Sequence, residues 1–387
     1  MIADFYQGLP VKQIGNKAFY TCENILTIEI GGSVESIGAR AFQRCTSLIS
    51  IKVDTNNDAY KSIDGNLYSK DGKTLVQYAI GKTDAHFELP SAVTQIGSRA
   101  FLACTNLAAV TLPERLTAIE TSAFLDCTAL TSICIPNSVT SLGNNAFDGC
   151  TALHSVTIGN GVKKIGASTF SNCYSLVSVV IGAAVKTIDS YAFYHCESLT
   201  ALVIPPSVTK IASYAFEQCS ALTSITLGKG VKALDVSAFY GCASLAHIEV
   251  ESANATYQSI DGNLYSKDGK TLLQYAKGKA DTTFCVPAGV TSIGERAFSY
   301  GTNLTRIVLS EDVTTIGYYA FYKCDSLATV VVKSNLVSVQ CSAFEGCRSL
   351  CDVYYAGTEE EWSQIAIGGY NESLASATKH YSCVFEA

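Results

Sequence analysis

A chain of 387 residues that is 48% apolar and only 16% charged is too hydrophobic to be disordered, and it is long enough for several ordinary domains or one repeat array. The formal charge of −7, from 27 Lys and Arg against 34 Asp and Glu, comes without a basic block, which argues against a nucleic-acid partner. No window approaches the roughly 18 consecutive apolar residues of a membrane helix, and MIADFYQGLPVKQIG lacks the charged-then-apolar order of a signal peptide.

From about Gly8 onward the chain repeats itself. An Ala-Phe pair returns at Phe19 and Phe42, then from Phe101 to Phe239 in steps of 23, then at Phe298, Phe321 and Phe344, with Thr169 replacing Ala once. Three residues after each Phe stands a cysteine, from Cys22 to Cys347, and Gly301 is the one exception. Within a unit, Leu222-x-x-Ile225-x-Leu227 has the period-two pattern of a strand with one buried face. Gly228, or Pro113, Pro136 and Pro205 in sister units, ends the strand. Val231 and Leu234 turn inward again, and Ser237-Ala238-Phe239 begins a helical turn that brings Cys242 onto the same face. One such unit cannot bury its apolar faces alone, whereas stacked units can.

Two spacings, Phe42 to Phe101 and Phe239 to Phe298, are 59 rather than 23. They hold near-identical inserts, YKSIDGNLYSKDGKTLVQYAIGK from Tyr60 and YQSIDGNLYSKDGKTLLQYAKGK from Tyr257, at about 54–86 and 251–283. Asp71-Gly72 and Asp268-Gly269 between alternating apolar residues predict hairpins. Each insert reads as a unit whose helical half gives way to a hairpin on the convex side. Asp64-Gly-Asn66 and Asp261-Gly-Asn263 read as turns rather than metal loops. The repeats stop after Leu350. Thr358 with Glu361 forms a capping box for a helix carrying Trp362, a second short helix spans 371–377, and Lys379 to Tyr381 reads as a closing strand. The chain thus divides into a solenoid, 1–352, and a C-terminal capping segment, 353–387. No comparable cap precedes the first unit, which leaves room for residues upstream of Met1.

The Ile-Gly-x-x-Ala-Phe-x-x-Cys-x-x-Leu signature in 23-residue units resembles one family, the BspA-like or Treponema-type leucine-rich repeats, over nearly the whole chain from Gly8 to Tyr381. The resemblance implies a right-handed leucine-rich-repeat solenoid of α/β units with a parallel β-sheet of about fourteen strands, two hairpin inserts and a terminal cap. It also implies a non-enzymatic, adhesin-like role at the cell surface or in the secreted fraction of a host-associated microbe, with host matrix or microbial surface proteins as partners. A carbohydrate-binding surface protein is the alternative.

Eleven of the sixteen cysteines share the repeat slot and should form a ladder of buried thiols, since buried cysteine behaves as a small hydrophobe. Cys134, Cys285, Cys341, Cys351 and Cys383 lie off it, Cys134 and Cys285 at concave positions, and a Cys351–Cys383 bridge would tie down the cap. No C-x-x-C pair, H-E-x-x-H, nucleophile elbow or P-loop occurs, and no cofactor or metal site is expected. His247 and Glu249 on one strand face are the only acid–base pairing of note, and Trp362 the only isolated aromatic that could floor a pocket. The concave positions, Ser132 and Cys134, Ser155 and Thr157, Ser178 and Val180, are small, with charge only towards the ends at Glu29, Lys52, Glu88, Arg306 and Asp352. Tyrosine is abundant, at 21 residues. Tyr191, Tyr194, Tyr214 and Tyr240, then Tyr300, Tyr318, Tyr319 and Tyr322, flank the Phe slot at exposed positions and form the candidate interaction surface.

Overall fold

The computed structural model describes residue 2, residues 4–333 and residues 335–385. The chain falls into two units, Met1–Leu199 with Lys210–Phe216, and Thr200–Thr209 with Glu217–Ala387. Each is a stack of the 23-residue turns, and each turn contributes a longer and a shorter parallel strand.

In the first unit Ser132–Ile135 pairs with Ser155–Ile158, which pairs with Ser178–Val180. The register puts Ser132, Ser155 and Ser178 in one outward column and Cys134, Thr157 and Val180 in the next, as the alternation requires. The shorter strands form a second ladder, such as Ala118–Ile119 with Ser141–Leu142. In the second unit Ala201–Ile204, Ser224–Leu227 and His247–Val250 are consecutive rungs of the longer ladder. Among the described residues there are fifteen longer strands, from Thr27–Ile30 to Thr378–His380, the last being the closing strand of the C-terminal segment.

The third side of each turn departs from the helical expectation. Cys127 N–H does bond Phe124 O at 3.2 Å, so a single turn forms. It goes no further because left-handed residues stand two before and two after the Phe, as with Ser122 (φ 58°) and Asp126 (φ 59°). A right-handed helix cannot pass through such residues. Their cost is offset by a third set of bonds between turns: the amides of Arg99, Phe101 and Ala103 donate to Thr121, Ala123 and Leu125 of the next turn at 3.2, 2.8 and 2.8 Å. The second of these positions is Gly149, Gly241 and Gly346 in three units, with φ of 72°, 72° and 76°.

The core is a ladder of rings. Phe101 to Phe216 stack face to face in the first unit, with centroids 4.5 to 5.6 Å apart and planes within 14°. Phe298, Phe321 and Phe344 do the same in the second. Beside the rings, slot thiols donate to the Phe carbonyl of the preceding turn, as Cys127 does to Phe101, Cys150 to Phe124 and Cys173 to Phe147, at 3.1 to 3.3 Å. The cysteine therefore fills a small apolar space and satisfies a buried acceptor at once. At the inserts a glutamine takes over this role: Gln274 Nε2 bonds Tyr275 O at 3.1 Å and Gln77 Nε2 bonds Tyr78 O at 2.9 Å. The thiol slot that follows is Gly301 in the second copy and still Cys104 in the first.

Each insert is a three-stranded antiparallel meander, and it does not replace the third side of the turn. Tyr60–Ile63 turns back at Asp64-Gly65 into Asn66–Ser69, which turns at Asp71-Gly72 into Thr74–Gln77. Thr74–Gln77 then joins the shorter ladder in parallel with Gln95–Ile96. Tyr78 follows in the Phe slot, 5.1 Å from the Phe101 ring, with its amide on Ala100 O at 2.8 Å. The insertion thus lies between the long and the short strand of a turn whose third side keeps the aromatic slot but has neither left-handed residue. The hairpin tip covers the edge of the long ladder, where Ile51 N–H bonds Gly65 O at 2.7 Å, and Ile248 N–H bonds Gly262 O at 2.8 Å in the second copy.

The C-terminal segment satisfies the last turn. Thr358 and Glu361 form the capping box of helix Glu359–Ser363, and Trp362 packs edge-on against Tyr355 at 5.3 Å. Ala366–Ile367 extends the short ladder and Thr378–His380 the long one. The amides of Ser342 and Phe344 are taken by Gly369 O and Asn371 Oδ1, both at 2.9 Å.

All sixteen cysteines are free, so the Cys351–Cys383 bridge is absent; Cys351 Sγ instead donates to Asp352 Oδ2 at 3.2 Å and Cys383 Sγ to His380 O at 3.2 Å. Ten are buried, four (Cys134, Cys285, Cys341, Cys351) exposed and two intermediate. Burial pushes the Cys324 thiol from 9.0 up to about 12 and Cys104 up to about 11. A thiol-reactive dye is expected to label four to six cysteines quickly in the native chain, and the ten buried ones only after denaturation. The raised folded values mean that this stabilisation is complete below pH 9.0 and is lost as pH climbs towards 11 and 12, because only the unfolded thiols ionise in that window. The urea midpoint should therefore fall above about pH 9. Rapid native labelling of ten or more thiols would contradict the ladder.

Candidate functional site

The candidate tyrosines fall into two clusters, one in each unit. In the first, Tyr191 and Tyr214 occupy the left-handed position before the Phe in successive turns, with φ of 60° and 59°. That backbone throws the ring outward, and the repeat stacks the two rings at 5.2 Å with planes 15° apart. Tyr194 meets Tyr191 edge-on at 5.6 Å and His195 at 4.3 Å, and His195 Nδ1 lies 2.8 Å from Glu197 Oε1.

In the second unit, Tyr240 and Tyr300 lie on either side of the second insert in sequence and join hydroxyl to hydroxyl at 2.6 Å. Burial, and then the hydrogen bond it donates to Tyr300, push the Tyr240 hydroxyl up to about 12. Tyr322 meets both Tyr300 and Tyr319 at 5.5 Å. The Arg296 guanidinium sits 4.5 Å over the Tyr319 ring, and Lys323 Nζ 5.6 and 5.3 Å over Tyr300 and Tyr322. Tyr318, 48% exposed, makes no ring contact among the described residues. Tyr191 is 39% exposed and the other six are half-buried. The rings are thus partly packed on neighbouring turns and partly offered to solvent, in fixed orientations.

The long-strand face carries little chemistry. His247 and Glu249 both point outward, in register with Ser224 and Thr226, and no bond joins them among the described residues. At the C-terminal end Asp352 Oδ1 bonds His380 Nε2 at 2.8 Å, and the His380 ring stacks on Tyr354 at 4.4 Å. The His380 bond first, then the Cys351 thiol, holds the Asp352 carboxyl below its ordinary range. Cys351, donating to that carboxylate, is held above its ordinary value, the reverse of an activated nucleophile. Lys52 and Glu29 pair at 3.5 Å near the other end. Trp362 belongs to the packing against Tyr355 and the core of the second unit.

Sequence reasoning missed a set of buried polar residues at the inserts. Asn57 and Asn254 are fully buried and bind the backbone on both sides, and Lys277 is buried with its ammonium held below its ordinary value by desolvation. The signal available was the repetition of asparagine three residues before Tyr60 and Tyr257.

Residues 7–75, 77–200, 186–270 and 276–377 match the BspA type leucine-rich repeat region, in six copies. No curated relative matches the chain. Among solved structures, a leucine-rich repeat protein from Eubacterium ventriosum is 29% identical, covering 67% of this chain and 68% of that one at a TM-score of 0.59. One from Bacteroides ovatus is 21% identical and covers 97% of this chain and 89% of that one at 0.54, a likeness of fold. With its 23-residue turns, phenylalanine ladder and matched repeats, the chain belongs to the BspA-type leucine-rich repeat family.

Proposed function

We propose that this protein is a non-enzymatic interaction module, adhesin-like, acting at the cell surface or outside the cell and holding host matrix or microbial surface proteins. The observation that carries this reading is the pair of tyrosine clusters. Their rings are oriented by contact with one another, so little side-chain entropy remains to be lost on binding. Family membership supports a repeat scaffold rather than a catalyst, with 353–387 acting as its cap.

A carbohydrate ligand would use the same rings by stacking sugars on their faces. The near-parallel Tyr191 and Tyr214 cover each other's faces at 5.2 Å, which favours a protein partner that meets ring edges and hydroxyls. The test is the purified chain on immobilised matrix proteins and on a glycan array, side by side at physiological salt. Saturable binding to a protein is expected; binding to glycans alone would overturn the reading.

A further inference from the structure

The first insert leaves one turn of the stack without its usual partners. The carbonyls of Ala39, Ala41 and Gln43 accept from Lys17, Phe19 and Thr21 of the turn before, at 3.1, 2.8 and 3.0 Å. In an uninterrupted turn the alternate amides then donate forward, as those of Arg99, Phe101 and Ala103 do. The corresponding amides here are those of Arg40, Phe42 and Arg44, and among the described residues none has an acceptor. Arg40 and Arg44 are both left-handed, with φ of 62° and 61°, the same backbone that aims the amides forward elsewhere.

Forward of them lies a cleft of about 150 Å³ whose lining includes Arg40, Phe42, Gln43, Gln77 and Arg99. Neither Arg40 nor Arg99 belongs to an ion pair among the described residues, and Arg99 spends one N–H on Ser98 Oγ at 3.4 Å. Gln43 Oε1 is buried without a partner, and its amide turned over would present two further donors. A row of unpaired amides beside two guanidiniums is an anion site in both geometry and charge.

The second insert offers a comparison for the choice of anion, although Ser237 lacks the left-handed backbone of Arg40. Every position there lies 197 residues later, so Ser237 stands for Arg40. The Ser237 amide is taken at 3.0 Å by the carboxylate of Asp235, which also accepts from Ser237 Oγ at 2.6 Å. The first insert has Gly38 at the place of Asp235, and so no carboxylate of its own.

We propose that the cleft at the first insert binds a carboxylate from outside the chain, with the amides of Arg40 and Phe42 as donors and Arg40 and Arg99 as counter-charges. The carboxylate comes from a small free acid or from the C-terminus of a peptide. The test uses the full chain labelled with ¹⁵N and titrated with acetate, with acetyl-triglycine, and with acetyl-triglycine amide and chloride as controls. Saturable downfield shifts of the Arg40 and Phe42 amides are expected with the two carboxylates and not with the controls. Arg40→Gln and Arg99→Gln should each weaken binding about tenfold, while Arg115→Gln, exposed on another turn, should not. Tighter binding of acetyl-triglycine than of acetate points to chain termini, and equal binding to free acids. Amides that do not shift, that shift equally with chloride, or that respond in the arginine variants as in the wild type would overturn the proposal.

Discussion

Asn57→Ala should cost on the order of 4 kcal/mol of stability, although asparagine in a surface-like TNND sequence looks expendable. Its side chain is fully buried and makes four bonds. Nδ2 donates to Gly31 O and Val34 O, both at 2.8 Å, and Oδ1 accepts from Ala59 N and Tyr60 N at 2.9 and 2.7 Å. Removing it leaves Val34 O and the amides of Ala59 and Tyr60 without partners, and Gly31 O with only the 3.4 Å bond from Val34 N–H, each unpaired group carrying about 1–3 kcal/mol of desolvation that water entry only partly relieves. Asn254 repeats the arrangement with Gly228, Val231, Thr256 and Tyr257, so Asn254→Ala should cost as much. Asn56→Ala, one residue away and exposed, should lie within about 0.5 kcal/mol of wild type. Urea unfolding of the three variants checks this; equal midpoints for Asn56→Ala and Asn57→Ala would remove the asparagine from its assigned role.

Phe170→Ala should be comparably severe, at about 4 kcal/mol, and its damage should be local. The ring is fully buried between Phe147 and Phe193, with centroids 5.4 Å away on each side. Truncation removes both stacking contacts and leaves a cavity that the neighbouring turns cannot close, because their hydrogen bonds to one another fix the spacing. A stack whose turns touch only their neighbours loses protection near the lesion first. Hydrogen exchange should therefore quicken at the turns of Phe147, Phe170 and Phe193 while those around Phe101 keep their rates. Uniform acceleration across the unit would instead mean that it unfolds as one block.

Much of this was legible in the sequence. The Phe and Cys spacing announced the stack, and the Leu-x-x-Ile-x-Leu runs announced which strand positions face inward. The capping box at Thr358 was readable because it is local chemistry. The third side was misread as helical because most of its left-handed positions carry ordinary residues such as Arg99, Ser122 and Tyr191, which conform only because amides between turns hold them. Gly149, Gly241 and Gly346 were the legible hint. The inserts were half read: Asp71-Gly72 was recognised as a hairpin, but Tyr78 in a Phe slot hides behind a change of residue. Asn57 reads as a turn residue, and only the tertiary structure reveals its four partners. For the candidate site, the sequence placed the tyrosines beside the Phe slot, while their division into two clusters, and the cations over the second, came from the geometry.

The most direct test of the account is to compare binding of the intact chain and of a variant carrying Tyr191→Ala, Tyr214→Ala, Tyr319→Ala and Tyr322→Ala to the same panel of immobilised host and microbial surface proteins. Those side chains are partly exposed, so the variant should keep its fold, as circular dichroism and the urea midpoint will show. The account predicts saturable binding by the wild type that falls at least about tenfold in the folded variant. Undiminished binding by the folded variant would contradict it and move the interaction surface away from the tyrosines.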